Sequence, residues 1–483
     1  MADDVPEEWA FVPNDTPEGR CRFTTSYGDM EFVAGNVTCW RPVWREHDRC
    51  IWHALVAEKP AEELADARTA NPERLDGAVL RKTEIGETVT LADCSLYGAD
   101  LIDASLQNTD LTDADLRGVD LNDASLESTT LTHANLVGAN LSGANIMGAD
   151  LAGSNLQGAI LTKCSLFGAE LTDATLHAAN LTEADLSATI LTACSLRGAD
   201  FTGADLQWAT FLDADLQNAD LVGVNLQKTT FKNADLRGSN LTNATARECE
   251  FDGAILENAI LTRTDVREAT FNEAQLYQIQ FSDIRINSQT AFGDECSYET
   301  GLHPPKTVEN VLPLEAATWV YRRLEKLHEE NALADRTSHY HIRKEEAQRK
   351  RDRREGNWGR YAVATLNRYL TNHGESIKRL LVAWAVTILG AGLLYPFVGG
   401  VEDSGTVYLV DLVAEWPPLA SLVGAGEAVA RGLYFSIITF TTIGYANVAP
   451  HGPWSRVLVG IESLVGAVLI ALFVYVLGRR VAR

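Results

Sequence analysis

Basic charge is what this 483-residue chain has too little of, with 41 Lys plus Arg against 66 Asp plus Glu and a formal net charge of −25. A polyanion binder needs Lys and Arg for phosphate contacts, so no nucleic acid is expected as a partner. Residues 91–286 carry 28 acids against 10 bases, or −18, so most of the acidity belongs to one region. That surface reads as a solvated face, or as one that imitates DNA toward a basic partner. Chemistry is missing too. No Gly-rich phosphate loop, nucleophile elbow or paired-His metal motif stands out, and the carboxylates follow a regular pattern with no sign of a cleft that would perturb them; the chain is not read as an enzyme. Met1 to Arg20 is acidic and holds no apolar core, so no signal peptide is expected and the N-terminus should stay in the cytoplasm. Eight cysteines do not make a disulfide framework: Cys94, Cys164, Cys194 and Cys249 occupy one small position of a repeat, as compact apolar fillers, and Cys296 has no assigned role.

That repeat has a period of five. From Leu91 to Ile286 every fifth residue, 40 positions in one phase, is Leu, Ile, Phe or Val, with Ala246 the sole exception. Two residues before each lies a smaller side chain, usually Ala. In an extended segment positions two apart share a face, so each pentad turns one large and one small side chain inward and then bends. Phe211, Phe231, Phe251 and Phe271 recur at every fourth pentad, so four pentads should close one coil and stack these rings. Leu75, Leu80 and Ile85 form an earlier partial coil, displaced by one residue. Ala99-Asp100-Leu101 and Ala139-Asn140-Leu141 follow the A(D/N)LxG pattern, and the region resembles the pentapeptide-repeat family. The resemblance implies a right-handed quadrilateral β-helix, a fold whose open ends need capping.

Lys and Arg are absent from Leu380 through Ala430. Leu380 to Val398 is free of charge and long enough for roughly 29 Å of hydrocarbon, and Val457 to Leu477 is a second such run broken only by Glu462. Arg368, Lys378 and Arg379 precede the first run, and Arg479, Arg480 and Arg483 follow the second. Both ends are therefore expected in the cytoplasm, with the intervening segment outside. Glu427 to Phe440 is expected to be a short re-entrant helix whose C-terminal end, carrying partial negative charge, favours cations. Thr441-Thr442-Ile443-Gly444-Tyr445 follows it, a string that resembles a potassium-channel selectivity filter.

Residues from about Lys378 to Arg483 resemble the two-transmembrane potassium-channel pore module. The resemblance implies a homotetramer in the lipid of the plasma membrane, conducting potassium or another monovalent cation. It also implies that Thr442, Ile443, Gly444 and Tyr445 present coordinating carbonyls, with Thr442 adding its hydroxyl. Ala446 departs from the family's Gly, and Asn447 stands where the family often has Asp. A Cβ at a position needing positive φ costs about 1 kcal/mol per subunit, so selectivity of potassium over sodium is the property to test. Gly460 and Gly466 are bending points or sites of close helix packing, and Glu462 must be paired or hydrated, bracing the filter or facing water. An Arg-rich voltage-sensing helix is absent, and the gating stimulus and any cytoplasmic regulator are left unidentified.

Near the N-terminus Cys21, Cys39, Cys50 and His53 form a candidate zinc-ligand group, with Cys50-x-x-His53 a close pair and His47 nearby; a segment with little core gains most from a structural metal. Leu314 to Glu355 is helical in pattern, with Val320, Leu324 and Leu327 on one face, suited to a partner helix or to capping the solenoid. Arg343 to Arg354 holds seven bases against three acids, a patch suited to anionic headgroups or to a solvated face. His339 and His341 are read as surface residues. The expected organisation is an N-terminal module 1–74, a solenoid 75–290, a linker 291–311, a helical connector 312–377 and a pore domain 378–483. Within the last, spans 380–398 and 457–477 flank a pore helix 427–440 and a filter 441–446. The alternative function is a membrane-anchored acidic solenoid acting as an interaction or DNA-mimic module.

Overall fold

The computed structural model describes residues 20, 21, 23–26, 36–39, 41–68, 73–300, 304–306, 311–410, 419–441 and 447–481. The chain divides into two compact units, Met1–Val320 and Tyr321–Arg483.

The first unit is a β-helix. Each pentad runs through a small buried residue, one bridged residue and a large buried residue, then a two-residue turn. Leu96 N–H donates to the Asp115 carbonyl at 2.8 Å and Asp115 N–H donates to the Cys94 carbonyl at 2.9 Å, so the ladder is parallel and joins neighbouring coils. Bridges such as Ser95↔Asp115 and Asp215↔Asp235 join each position to its equivalent four pentads on, which fixes the length of the coil. The turn is closed by Ala99 N–H on the Leu96 carbonyl, with its last residue left-handed: Gly98 at φ 60° and Asp103 at φ 56°. This explains why Gly, Asn and Asp crowd that position. The residue before the large one is Asp or Asn for a different reason. Asp110 Oδ1 accepts from Thr112 N–H at 3.0 Å and Asp200 Oδ1 from Thr202 N–H at 2.9 Å, so part of the acidity holds turns.

The aromatic stack is present, with Phe211, Phe231, Phe251 and Phe271 centroids 4.8, 5.2 and 4.8 Å apart. Ala246 is wholly buried at its large-residue position. The first coil is long by one residue, as the displaced phase required: Arg74↔Ser95 and Val79↔Asp100 each reach one position beyond four pentads. Another such step, Thr270↔Ala291, places Phe292 on the stack 4.8 Å from Phe271, out of phase with the regular repeat. Past the last coil, Tyr298 donates to Glu257 at 2.9 Å and Trp319 meets Tyr277 edge-on at 5.5 Å. Trp319 lies on helix α1 (Pro313–Glu330), whose Leu314, Ala317 and Val320 are buried, so the first half of this helix acts as a cap.

The 314–355 pattern is two helices rather than one. α1 stops at Glu330, Ala332 takes a left-handed conformation at φ 56°, and α2 (Ala334–Arg354) follows. The second unit continues with α3 (Trp358–Thr371), α4 (Ile377–Leu394), α5 (Leu419–Phe440) and α6 (Gly452–Val481). Short strands β3 (Val401–Asp403), β4 (Thr406–Tyr408) and β5 (Val448–Pro450) form an antiparallel sheet ordered β4-β3-β5 beside the far ends of α4 and α6. β1 (Thr24–Ser26) and β2 (Asn36–Thr38) pair antiparallel in the N-terminal module.

Both membrane-length segments are helical, but their bounds differ from the charge-free runs. They cover Ile377–Phe397 and Gly452–Arg479, because helices extend beyond the apolar stretch into polar turns. Only 28% and 17% of their most apolar windows are buried within the chain, unlike a core helix of a soluble domain, which is mostly buried.

Candidate ion pathway and metal group

α5 begins at Leu419, well before Glu427, where the re-entrant segment was expected to start. Before Gly432 it carries Glu427 and Arg431, and Arg431 forms an ion pair with Asp403 of β3. Past Arg431 the charge-free part, Gly432–Phe440, is about 13 Å of helix, too short to cross hydrocarbon. α5 runs antiparallel to α4. A Cβ on Gly432 would lie 2.4 Å from the Gly392 carbonyl oxygen, and Ser436 Oγ donates to the Ile388 carbonyl at 2.8 Å. Farther on, Phe440 meets Trp384 at 5.6 Å. The helix ends at mid-height of α6, where a Cβ on Gly466 would lie 2.9 Å from the Phe440 carbonyl oxygen. Gly466 therefore serves close packing, whereas Gly460 has open space around it, and α6 continues as helix through both.

Glu462 is only 2% exposed and takes the paired alternative. It accepts from Tyr395 Oη at 2.6 Å and is bonded to Ser436, so one carboxylate ties the residue that follows α4 and the C-terminal part of α5 to α6. An unpaired carboxylate would be costly at this depth. Thr441 closes α5, its N–H donating to the Ile437 carbonyl at 3.1 Å. The remaining filter residues, Thr442, Ile443, Gly444, Tyr445 and Ala446, lie outside the described residues.

At the other end of α6, Arg479 reaches Glu325 of α1 and Glu375, both at 3.4 Å, and contacts His341 of α2. His341 is buried, which corrects its reading as a surface residue: its Nδ1 bonds Glu325 at 2.8 Å and its Nε2 lies 3.1 Å from the His373 carbonyl. Burial opposes ionisation of Glu325, but hydrogen bonds from His341 and Lys344 outweigh it and hold the carboxyl down to about 2.

The four N-terminal ligand candidates come together. The β1–β2 ladder extends past its strands, with Cys39 N–H on the Phe23 carbonyl and Cys21 N–H on the Arg41 carbonyl, both at 2.8 Å, placing two cysteines side by side. A turn at Cys50 brings His53 round, its N–H 3.0 Å from the Cys50 carbonyl. The Cys21, Cys39 and Cys50 sulfurs and a ring nitrogen of His53 all lie within 4.8 Å of one another, a group that can hold a metal ion. His53 Nε2 faces the Asp76 carbonyl at 2.9 Å; a carbonyl only accepts, so Nε2 carries the proton and Nδ1 points its lone pair at the sulfurs. Hydrogen bonds from Cys39 and Cys50 lower the Cys21 thiol well below its usual range, while the bond to Cys21 raises Cys50. His47 is absent from the group and stacks on Trp44 at 5.2 Å.

Residues 401–483 match the family model described as "Ion channel". Residues 154–241 match "Pentapeptide repeat region", and 94–132, 109–146, 124–162 and 249–286 match "Pentapeptide repeats (8 copies)". The chain thus carries a pentapeptide-repeat β-helix and the channel domain of an ion-channel subunit, a membrane protein, and none of the matched families is a family of enzymes. Among solved structures it is similar to HetL, a pentapeptide repeat protein involved in heterocyst differentiation regulation from the cyanobacterium Nostoc, with 26% identity over 48% of this chain and 92% of that one and a TM-score of 0.21. It is similar also to QnrB1, a plasmid-mediated fluoroquinolone resistance protein, at 16% identity over 45% and 88%, TM-score 0.23. Rfr23 from the cyanobacterium Cyanothece 51142 shows 31% identity over 20% and 64%, TM-score 0.15. No curated protein matches the chain.

Sequence reasoning missed Tyr395 and Ser436, the partners of Glu462, and Glu325 and Glu375, the partners of Arg479. Glu462 itself was the available signal: a lone acid in an apolar run requires buried hydroxyls, but nothing in the sequence says which.

Proposed function

We propose that four copies of this chain form a cation channel of the plasma membrane, selective for potassium, with both termini in the cytoplasm and the solenoid as a cytoplasmic regulatory or scaffolding domain. The observation that carries this reading is the course of α5: it descends beside α4, stops at mid-height of α6 and aims its C-terminal carbonyls there, directly before the filter-like string. The exposed apolar faces of α4 and α6 support assembly, since Val386 and Leu464 need lipid or a neighbouring subunit to cover them. Thr441 to Ala446 supply the ion path; Gly460 gives α6 room to bend, and Glu462 braces the filter from behind. The contact of Arg479 with Glu325 and Glu375 joins the connector to the end of α6, a route by which a cytoplasmic signal reaches the pore. Planar-bilayer recording of the purified protein tests this reading. Potassium currents with a reversal potential that follows the potassium gradient in mixed potassium and sodium are expected, and A446G should sharpen selectivity if the missing glycine relaxes it. Silence from verified tetramers would favour the membrane-anchored acidic solenoid that binds a basic partner.

Cys21, Cys39, Cys50 and His53 hold zinc in this proposal. Tetrahedral zinc with bonds near 2.3 Å to sulfur and 2.0–2.1 Å to nitrogen sets sulfur–sulfur edges of about 3.8 Å and sulfur–nitrogen edges of about 3.5 Å. The Cys39–Cys50 separation is 3.7 Å, and His53 Nδ1 lies 3.6 Å from Cys21 and 3.2 Å from Cys50. One zinc per chain is expected by metal analysis and its loss in C50S; a metal-free, fully folded wild-type protein after zinc-replete expression rejects the site.

A further inference from the structure

In the second unit, α2, α3 and the first turn of α4 enclose a cavity of about 490 Å³. Its walls bring Arg343, Arg349, Lys350, Arg368 and Arg379 together against a single acid, Glu346, in a chain whose net charge is −25. Glu346 is already engaged: Arg349 reaches it at 2.8 Å, Arg368 at 2.9 Å and the buried His373 at 3.0 Å. Its carboxylate thus orients two guanidinium groups of the wall. Lys350 and Arg379 are exposed to the solvent side. Arg379 stands one residue before the charge-free run that begins at Leu380, so the cavity opens at the start of a membrane-length helix.

A second observation comes from α3. Trp358, Val363, Leu366 and Tyr369 are each more than half exposed, and Tyr369 also lines the cavity. A helix that leaves such a face uncovered, next to a membrane span and with basic side chains beside it, suits the boundary between headgroups and acyl chains. Guanidinium forks match phosphate oxygens in geometry as well as charge.

We propose that this cavity is a binding site for a phosphate-bearing anion, presented as the headgroup of an anionic phospholipid whose acyl chains run along the exposed face of α3. The lipid part rests on the membrane reading above; the phosphate chemistry rests on the cavity alone. In the folded protein the bound headgroup fixes α3 between the connector helix α2 and the first membrane helix α4, so lipid composition acts where the cytoplasmic part of the chain enters the membrane.

The test uses the full chain in neutral detergent, its thermal unfolding followed with added phosphatidylcholine, phosphatidylglycerol or glycerol 1-phosphate. Phosphatidylglycerol should raise the melting temperature and phosphatidylcholine should not. The double variant K350Q/R379Q should need about thirtyfold more phosphatidylglycerol for half of the shift, about fivefold for each base removed. R354Q, exposed on the same helix but outside the cavity, should behave as wild type. Equal stabilisation by the two lipids, or an equal loss in R354Q, overturns the site. A full shift from glycerol 1-phosphate overturns the lipid as occupant and assigns the cavity to a soluble phosphate. Unfolding does not depend on conduction, so a silent channel and a failed lipid site are separate outcomes.

Discussion

The solenoid and the helical unit bury their apolar residues in opposite ways. In the solenoid the large inward residues from Leu91 to Phe271 are essentially inaccessible, each covered by the equivalent residue of the next coil in the same chain. In α4 and α6 much of the apolar surface, including Leu381, Val386, Leu464 and Val468, stays uncovered. Stability in the first region is thus a sum of neighbouring-coil contacts, whereas the second depends on surroundings that one chain does not supply. The polar groups differ in the same sense. Solenoid carboxylates hold turns within two residues, as Asp110 does for Thr112, while Glu462 joins residues as far as 67 positions apart.

The contrast can be broken most forcefully at Glu462. E462A should abolish conduction and strip the Tyr395 hydroxyl of its acceptor, at about 1–3 kcal/mol, while Ser436 keeps the Ile388 carbonyl and solenoid unfolding should not change; current recording and calorimetry check the two halves. F231A, in the middle of the ring stack, should cost about 3–5 kcal/mol in denaturant unfolding and leave single-channel conductance intact. G466A tests close packing in α6: its Cβ meets the Phe440 backbone, so a loss of about 1–3 kcal/mol is expected, against near neutrality for G460A. The smallest effect concerns the Arg479 contact. Glu325 ionises lower in the folded chain, at about 2, than its usual 4.5, so its contribution is complete above pH 4.5 and fades as pH falls toward 2. Melting temperature should fall over that window in wild type and less so in E325Q.

The solenoid was legible because a period of five admits few alternatives: burial of one large and one small residue per pentad dictates the coil. Its irregular ends were less so, since one extra residue in the last coil carried Phe292 out of phase with the rings it stacks on. For the membrane helices, length and charge sufficed for existence but not for bounds, and α5 was read as starting at Glu427, whereas the eight residues before it, which include the poor helix formers Gly424 and Gly426, are made helical by the fold. The zinc candidates were legible as residue types only. Their irregular spacing arises because Cys21 and Cys39 meet across a hairpin ladder and His53 returns through a turn. His341 was misread because a very polar helix offers no apolar stripe to mark its buried side; its partners come from α1, from the turn after α3 and from the end of α6.

Periodicity and hydropathy thus determined, from the sequence alone, a coiled β-helix, two membrane-length helices and a filter-like string between them, because these depend on local patterns repeated or sustained over many residues. Tertiary structure decided which polar groups meet: Glu462 with Tyr395 and Ser436, Arg479 with Glu325 and Glu375, five cations around one cavity. Such pairings join residues far apart in the chain, and only the packing of the helices that carry them brings their few polar atoms within hydrogen-bond reach.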